Sequence, residues 1–363
     1  MDIETYIRQR RENLGESTRA VRDFRVFDFA YVPDQPIMRD EAKLIVDAML
    51  RYERTGVPTN LAVIGSRGSG KTMTMRYLEQ LLGRTTDLRV SYCSIREHNT
   101  SFKAVAHILR EPARGRSLGE LYDRFREAMT GRTVVVLDEA DLWSSKDRNR
   151  DLLYHLSRSD RAYMTILLSN APRLLDQLDP SVRSSLQAEA LFFRNYDAEQ
   201  IRAILEDRAR RGLDAWAKED IAKIAALTTQ QAGSDVRVAI KALYYSATRQ
   251  STVEEAFEKA RRDIFVDVIA ALGDKELLTL WAAASCQTGF AKTVYRGFRA
   301  LCEQHHEVPI SYAHWYTMLG QLQAMGAILL VAAKTGRCYT NRIDILFEHK
   351  ILEATMGRRF GIR

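Results

Sequence analysis

The sequence predicts an α/β fold built on a parallel sheet, followed by two smaller domains that are mainly helical. Unbroken aliphatic runs at residues 133–137 and 164–168 are typical of parallel strands that are buried on both faces. From about Asp197 apolar residues recur at helical spacing, and near the end of the chain two strand-like segments follow three helical ones. A chain of 363 residues is also long for one hydrophobic core, so we expect several domains.

Composition narrows the class of protein. Apolar residues make up 46% of the chain and charged residues 28%, the values of an ordinary globular protein. No apolar run is long enough to span a membrane, and the N-terminus lacks the apolar core of a signal peptide, so we expect an intracellular protein without a membrane partner. The four cysteines lie far apart and are expected to be free thiols. A net charge of +7 permits a polyanionic partner without requiring one.

The segment between a predicted strand and a predicted helix has the composition of a phosphate-binding loop. It reads Gly65, Ser66, Arg67, Gly68, Ser69, Gly70, Lys71 and Thr72. Its glycines permit a tight turn that points backbone N–H groups at phosphates, and the following helix directs its positive end to the same place. Lys71 is predicted to contact the β- and γ-phosphates, and Thr72 to bind Mg²⁺. The alternative is a flexible Gly/Ser turn.

Two carboxylates follow the run at residues 133–137. Ligands of parallel sheets collect at the carboxyl ends of strands, so Asp138 is predicted to hold the Mg²⁺ shell. Glu139 is predicted to orient and deprotonate the attacking water. The sequence thus predicts an ATPase site.

Three further residues are candidates for sensing the nucleotide. Asn170 follows the strand at residues 164–168 and either positions the attacking water or forms a turn before Pro172. Arg183 is either a surface residue or an arginine finger that reaches a neighbouring subunit's nucleotide. Arg237 begins the last helix of a small helical lid and is predicted to close over the γ-phosphate.

The segment before the phosphate-binding loop is a candidate for holding the base of the nucleotide. The extended segment with Val32 and Pro33 is predicted to lie across an adenine ring, or alternatively to be a connector. Tyr196 and Arg208 lie where the lid joins the sheet domain.

The last ninety residues are predicted to form a winged helix, with helices near 275–285, 292–304 and 311–325 and a hairpin after them. The third helix presents Ser311 and His314 to a major groove, and the wing presents Lys334, Arg337 and Arg342 to phosphates or a minor groove. Because the exposed face of the third helix has no arginine or lysine, a role in protein contacts is the alternative.

A further set of arginines lies in the segment 96–131. Arg110, Arg114 and Arg116 are interpreted either as contacts to DNA phosphates or as part of a solvated loop.

From about residue 24 to 346, these pieces in this order resemble the archaeal origin-recognition/Cdc-type replication initiators, a branch of the AAA+ ATPases. The local matches are residues 31–33 with Arg39, residues 178–186, Tyr196 with Arg208, and the winged helix at 280–346. Two motifs depart from the family. The lid motif at residues 234–238 keeps only its first arginine, Arg237, and residues 312–314 read Tyr-Ala-His where adjacent basic residues are frequent.

The resemblance implies three domains and a site between two of them. These are an ATPase base at 1–195, with an arm at 1–25 and an initiator-type insertion at about 96–131, a helical lid at 196–270 and a winged helix at 271–363. ATP or ADP with Mg²⁺ would bind at the junction of base and lid. There Val32 and Pro33 would contact the adenine, and Tyr196 and Arg208 would join the site. Asn170, Arg237 and Arg183 match the sensor and finger positions.

The function that the resemblance implies is a slow ATPase that binds origin duplex DNA and helps to recruit or load an MCM-type replicative helicase, alone or with other initiator subunits. Such a protein would be cytoplasmic and associated with the nucleoid. Three alternatives remain: a DNA-binding helper of transposition or plasmid replication, a nucleotide-locked DNA-binding module with vestigial ATPase activity, and a winged-helix switch for protein partners.

Overall fold

The computed structural model describes residues 2–7, 21–144, 147, 150–248, 251–335 and 338–361. They form two compact units. One is Val32–Arg194, and the other combines the described residues of Met1–Tyr31 and Asn195–Arg363. Residues 21–31, grouped with the base in the sequence analysis, therefore belong to the same unit as the lid. None of the helices in the described part of the chain has both the length and the apolar composition needed to cross a bilayer.

The first unit is built on a five-stranded, wholly parallel sheet in the order β2-β3-β4-β1-β5. The strands are β1 Leu61–Ile64, β2 Arg89–Ser94, β3 Thr133–Asp138, β4 Met164–Ser169 and β5 Glu189–Phe192. Every residue of β1, β3 and β4 is buried, as their aliphatic sequences predict. The predicted α/β fold class is confirmed, and β5 is a strand that the sequence analysis did not predict.

Helices cover both faces of this sheet. They are α1 Asp40–Thr55, α2 Lys71–Thr85, α3 Ser101–Leu109, α4 Leu118–Ala128, α5 Asp151–Ser157 and α6 Pro180–Leu186. Alternation along β3 sends Val134 and Val136 into the core under α1 and α2, and Val135 and Leu137 into the core under the other four helices. The strands are fixed from both sides, so their carboxyl ends meet at one edge and carry the phosphate-binding loop, Asp138 and Asn170.

The second unit begins with four helices, α7 Ala198–Gly212, α8 Lys218–Gln231, α9 Val236–Thr248 and α10 Val253–Ala270. Residues 21–28 pack against α7: Val21 bridges to Leu213, and the backbone N–H of Arg22 donates to the Gly212 carbonyl at 2.7 Å. These four helices fall within residues 196–270, the range predicted for the lid.

The rest of this unit contains α11 Asp274–Ser285, α12 Ala291–Gln304 and α13 Tyr312–Ala324, the antiparallel hairpin of β6 Ile328–Thr335 and β7 Cys338–Ile345, and α14 His349–Phe360. The three helices lie within two residues of the predicted bounds, and a hairpin follows them as predicted. Their core includes Phe298 and Trp315, both fully buried. The sequence analysis did not predict α14, which buries Ile351, Leu352 and Met356 in the same core.

Candidate functional site

The phosphate-binding loop leaves β1 and enters α2 in a conformation that requires glycine at three positions. Gly68 and Gly70 have φ angles of 74° and 92°, which favour glycine. A Cβ atom on Gly65 would lie 2.5 Å from the carbonyl oxygen of Phe193. The loop therefore forms a backbone cradle that side chains at these positions would distort or fill, as an anion site at a helix N-terminus needs.

Lys71 connects this loop to the end of β4. Its side chain is 7% exposed, and its Nζ donates to the carbonyls of Gly65 at 2.7 Å and Ser66 at 2.9 Å. The same Nζ lies 3.1 Å from Oδ1 of Asn170. The structure thus brings together the predicted phosphate-binding lysine and the predicted sensor asparagine.

Thr72 and Asp138 meet on the other side of the loop. The Thr72 hydroxyl donates to Asp138 Oδ2 at 2.7 Å, and the backbone N–H of Glu139 donates to Oδ1 at 2.8 Å. Asp138 is 4% exposed. A hydroxyl beside a carboxylate is the kind of oxygen donor pair that Mg²⁺ accepts together with phosphate and water oxygens. These residues, with the glycine cradle and Lys71, fit a Mg²⁺-nucleotide.

Glu139 is held by an arginine that the sequence analysis did not single out. Nε of Arg96 lies 2.8 Å from both carboxylate oxygens of Glu139, and its Nη2 lies 2.7 Å from Oε1. This ion pair raises the pKa of Arg96 above its usual value. Glu139 itself has a φ of 54°, the left-handed region that non-glycine residues seldom adopt. The predicted catalytic base is therefore paired with a cation.

Two more residues of the site escaped the sequence analysis. The Tyr92 hydroxyl, on β2, donates to Asp138 Oδ2, and burial together with this carboxylate raises the pKa of Tyr92. Asp141 Oδ1 accepts from the backbone N–H of Asn170 at 3.1 Å and so helps to orient that residue. The only sequence signal for Tyr92 is its place on a strand beside β3.

Arg39 supports the loop from behind. Its buried guanidinium donates to the Ser69 carbonyl at 2.8 Å and to the Arg194 carbonyl at 2.7 Å. Val32 and Pro33, the predicted adenine contacts, are half-buried residues at the start of this unit.

The other predicted nucleotide contacts lie in the second unit. Arg208 is buried, donates to the backbone carbonyls of Val26 and Asp28 and places its guanidinium 5.1 Å from the ring centre of Tyr31. Burial lowers the pKa of Arg208 to about 10. Arg237 is paired with Asp235, whose Oδ1 lies 2.9 Å from its Nε. Tyr196 is buried in the helical core of the same unit. That these residues meet the phosphate-binding loop on one nucleotide stays a prediction.

Two of the four arginines predicted for the surface of the first unit, Arg183 and Arg116, are engaged in ion pairs. Arg183 is exposed on α6 and lies 3.1 Å from Asp176. Arg116 pairs with Glu111, and Arg110 and Arg114 are exposed on either side of the turn between α3 and α4. This placement is compatible with both interpretations of these arginines, the DNA contact and the solvated loop.

The predicted DNA contacts of the C-terminal module lie in different local surroundings. Ser311 caps α13, and its Oγ lies 3.4 Å from the backbone N of His314. His314 lines a groove of about 390 Å³ together with Lys275 and three carboxylates, those of Asp274, Glu276 and Glu307. On the hairpin, Lys334 is exposed and Arg342 forms a bidentate pair with Asp344 at 2.8 Å. Arg337 lies outside the described residues.

Comparison with known proteins agrees with this geometry. A family model described as an AAA domain matches residues 55–178, which contain the phosphate-binding loop, Asp138, Glu139 and Asn170. An ORC1-type DNA replication protein of Sulfurisphaera tokodaii is 28% identical over 95% of this chain and 97% of its own length.

Solved structures share the fold. The Aeropyrum pernix ORC1 protein in complex with DNA has a TM-score of 0.66, with 22% identity over 94% of this chain and 97% of that one. The Aeropyrum pernix ORC2 protein, in ADPNP–ADP complexes, has a TM-score of 0.57, with 20% identity over 94% of this chain and 100% of that one. The similarity along both whole chains, with the AAA domain inside it, confirms the predicted resemblance to the archaeal origin-recognition/Cdc-type replication initiators.

Proposed function

We propose that the chain is an ATP-dependent DNA replication initiator, which binds origin duplex DNA and helps to recruit or load an MCM-type helicase. The observation that carries the proposal is the pair of contacts at the loop, Lys71 to Asn170 and Thr72 to Asp138, in a chain similar over 95% of its length to an ORC1-type replication protein. Nucleotide state would act as the switch between binding modes.

The chemistry of this switch would be Mg²⁺-dependent ATP hydrolysis. Thr72 and Asp138 would hold the ion, which supplies positive charge to the phosphate oxygens when bound. Lys71 would bind the β- and γ-phosphates, and Glu139 would accept a proton from the attacking water. Glu139 is paired with Arg96, so at any moment only a fraction of the protein molecules would have Glu139 free to accept the proton. A low hydrolysis rate would follow from that.

The remaining nucleotide contacts would come from residues on both units. Val32 and Pro33 would contact the adenine, and Tyr196 and Arg208 would complete its side of the site. Arg237 would leave Asp235 to bind the γ-phosphate. Arg183, exposed on α6, would serve as a sensor or as a finger for a neighbouring initiator subunit.

Binding to duplex DNA would use the C-terminal module and the segment between α3 and α4. The basic residues proposed to contact DNA phosphates there are Lys334, Arg337, Arg342, Arg110, Arg114 and Arg116. Ser311 and His314 are the residues predicted to enter the major groove. His314 is supported less, because three carboxylates and one lysine, Lys275, line the groove beside it, and the excess negative charge would repel a polyanion.

Genome-wide footprinting of the full chain with ATP tests the proposal. An initiator gives a few discrete protected sites, and these weaken in a Lys71→Ala variant. A helper of transposition or plasmid replication gives scattered protection instead. A nucleotide-locked module gives discrete protected sites but does not hydrolyse ATP over multiple turnovers. For a protein-interaction switch, duplex affinity does not decline as salt rises.

A further inference from the structure

A row of aromatic side chains crosses the C-terminal module from α12 to the hairpin. The ring of Tyr295 lies 5.1 Å from that of Tyr312, and the ring of Tyr312 lies 6.0 Å from that of Tyr316. Asn341, on β7, donates through Nδ2 to the Tyr316 hydroxyl at 2.5 Å. We call these three tyrosines and Asn341 the tyrosine row. Tyr312 and Tyr316 are each 38% exposed.

Positive charge borders this row on α12. Lys292 and Arg299 stand three residues before and four residues after Tyr295, so they share its side of the helix, and both are exposed. The groove at His314 has the opposite character, since the carboxylates of Asp274, Glu276 and Glu307 outnumber its one lysine, Lys275. Charge complementarity thus favours the tyrosine row over the His314 groove as the surface that a polyanion would approach.

The composition of α13 limits which bases it can read. The helix contains neither arginine nor lysine, the residues that bind guanine O6 and N7. It offers tyrosine rings, whose apolar edges suit the C5-methyl group of thymine. Beside them, the amide oxygen of Asn341 has no partner among the described residues, and its amide nitrogen keeps a second N–H, so the side chain offers the acceptor and donor that pair with adenine.

We propose that the tyrosine row is the sequence-reading surface of this module and that its ligand is an A·T base pair, recognised through the thymine methyl group. This inference rests on the proposed function, because it requires the module to bind duplex DNA. It replaces His314 by Tyr316 and Asn341 as the residues that set sequence preference. Lys292 and Arg299 supply phosphate contacts that are blind to sequence.

Selection from a randomised duplex library by the full chain with ATP tests the assignment. The wild-type protein is expected to enrich duplexes with a defined A·T step, and Tyr316→Ala to lose that enrichment. His314→Ala, on the same helix but in the acidic groove, is the matched control and should enrich the wild-type sequences. Lys292→Ala should weaken binding to all duplexes alike, and the slope of log affinity against log salt concentration should become shallower by about 1.

A second measurement uses unaltered protein, so it does not depend on a variant that folds. Replacing thymine by deoxyuridine in the enriched duplex removes only the methyl group and should weaken binding about fourfold per contacted methyl. Affinity that is unchanged by deoxyuridine, or Tyr316→Ala that enriches the wild-type sequences, would overturn the assignment alone. A wild-type chain that recovers no duplex above the protein-free control would overturn the proposed function as well.

Discussion

Arg96 and Glu139 form a bidentate ion pair at the edge of the parallel sheet, with the Arg96 Nε 2.8 Å from each carboxylate oxygen. Arg96 lies just beyond β2 and Glu139 just beyond β3, two strands that pair in parallel with Ser94 beside Asp138. In this geometry the carboxylate that is placed to accept a proton from water instead accepts hydrogen bonds from a guanidinium.

Removing Arg96 should therefore speed hydrolysis. The two side chains are 45% and 25% exposed, and ion pairs with that much solvent contact are worth about 0.2–1 kcal/mol. Arg96→Ala should raise the single-turnover rate at saturating ATP by up to about fivefold. Arg96→Lys keeps the charge but not the planar guanidinium, so its hydrolysis rate should lie between the rates of the wild type and Arg96→Ala. A rate for Arg96→Ala at or below wild type would show that the pair does not restrain the base.

Nucleotide binding and turnover should separate at two neighbouring residues. Glu139→Gln keeps the shape of the base but cannot accept the proton, so it should bind ATP normally and lose turnover by about 10²-fold or more. Lys71→Ala removes the cation that faces the phosphates, so it should lose both nucleotide binding and turnover. The measurements are fluorescent-nucleotide titration and phosphate release. Equal hydrolysis rates for wild type and Glu139→Gln would remove Glu139 from the role of base.

The dependence of ATP turnover on Mg²⁺ should change when the Thr72 hydroxyl is removed. Thr72→Val replaces the hydroxyl by a methyl group of similar size, so it should raise the Mg²⁺ concentration needed for half-maximal turnover by about tenfold, the effect of losing one hydrogen bond to a charged group. Thr72→Ser retains the hydroxyl and is the control. With EDTA the wild type and Thr72→Val should bind ATP equally. A Thr72→Val variant with wild-type Mg²⁺ dependence would place the ion elsewhere.

The parts of the site that are contiguous in sequence were predictable, and the parts assembled by the sheet were not. The phosphate-binding loop and Asp138-Glu139 each follow an aliphatic strand, and the reason for those residue types is local. Tyr92 and Arg96 reach Asp138 and Glu139 only because β2 pairs with β3 in one register, which a single sequence does not reveal.

The missed elements have equally physical causes. The edge strand β5 lacks a continuous aliphatic run, since Glu189 and Ala190 are exposed and only one side of it is paired. In α14 the buried residues are only the adjacent pair Ile351 and Leu352 and, after Glu-Ala-Thr, Met356. The helix also follows a hairpin that already completed the predicted module. His314 was assigned from exposure on a helix, but two of the carboxylates around it, Asp274 and Glu276, come from the start of α11, some forty residues earlier in the chain.

The contact between residues 21–28 and α7 gives a prediction about packing. Gly212 ends α7, and a Cβ atom added there would lie 2.3 Å from Val26 Cγ2, 2.8 Å from Phe27 Cε2 and 3.0 Å from the Asp23 carbonyl. Since two of these atoms belong to packed side chains and one to the backbone, Gly212→Ala should cost about 1–3 kcal/mol of stability by overpacking.

The matched control is Gly83→Ala, inside α2, where an added Cβ meets no atom within 4 Å. There the gain in helix propensity should stabilise the protein by about 0.5–1 kcal/mol. Gly212→Ala should also loosen the segment that its carbonyl holds, so trypsin should cleave after Arg22 or Arg25 faster than in the wild type, whereas Gly83→Ala should leave that rate unchanged. Because the two variants make the same chemical change in a helix, opposite signs in urea unfolding would show that the contact with residues 23–27, rather than helix propensity, decides the outcome at Gly212.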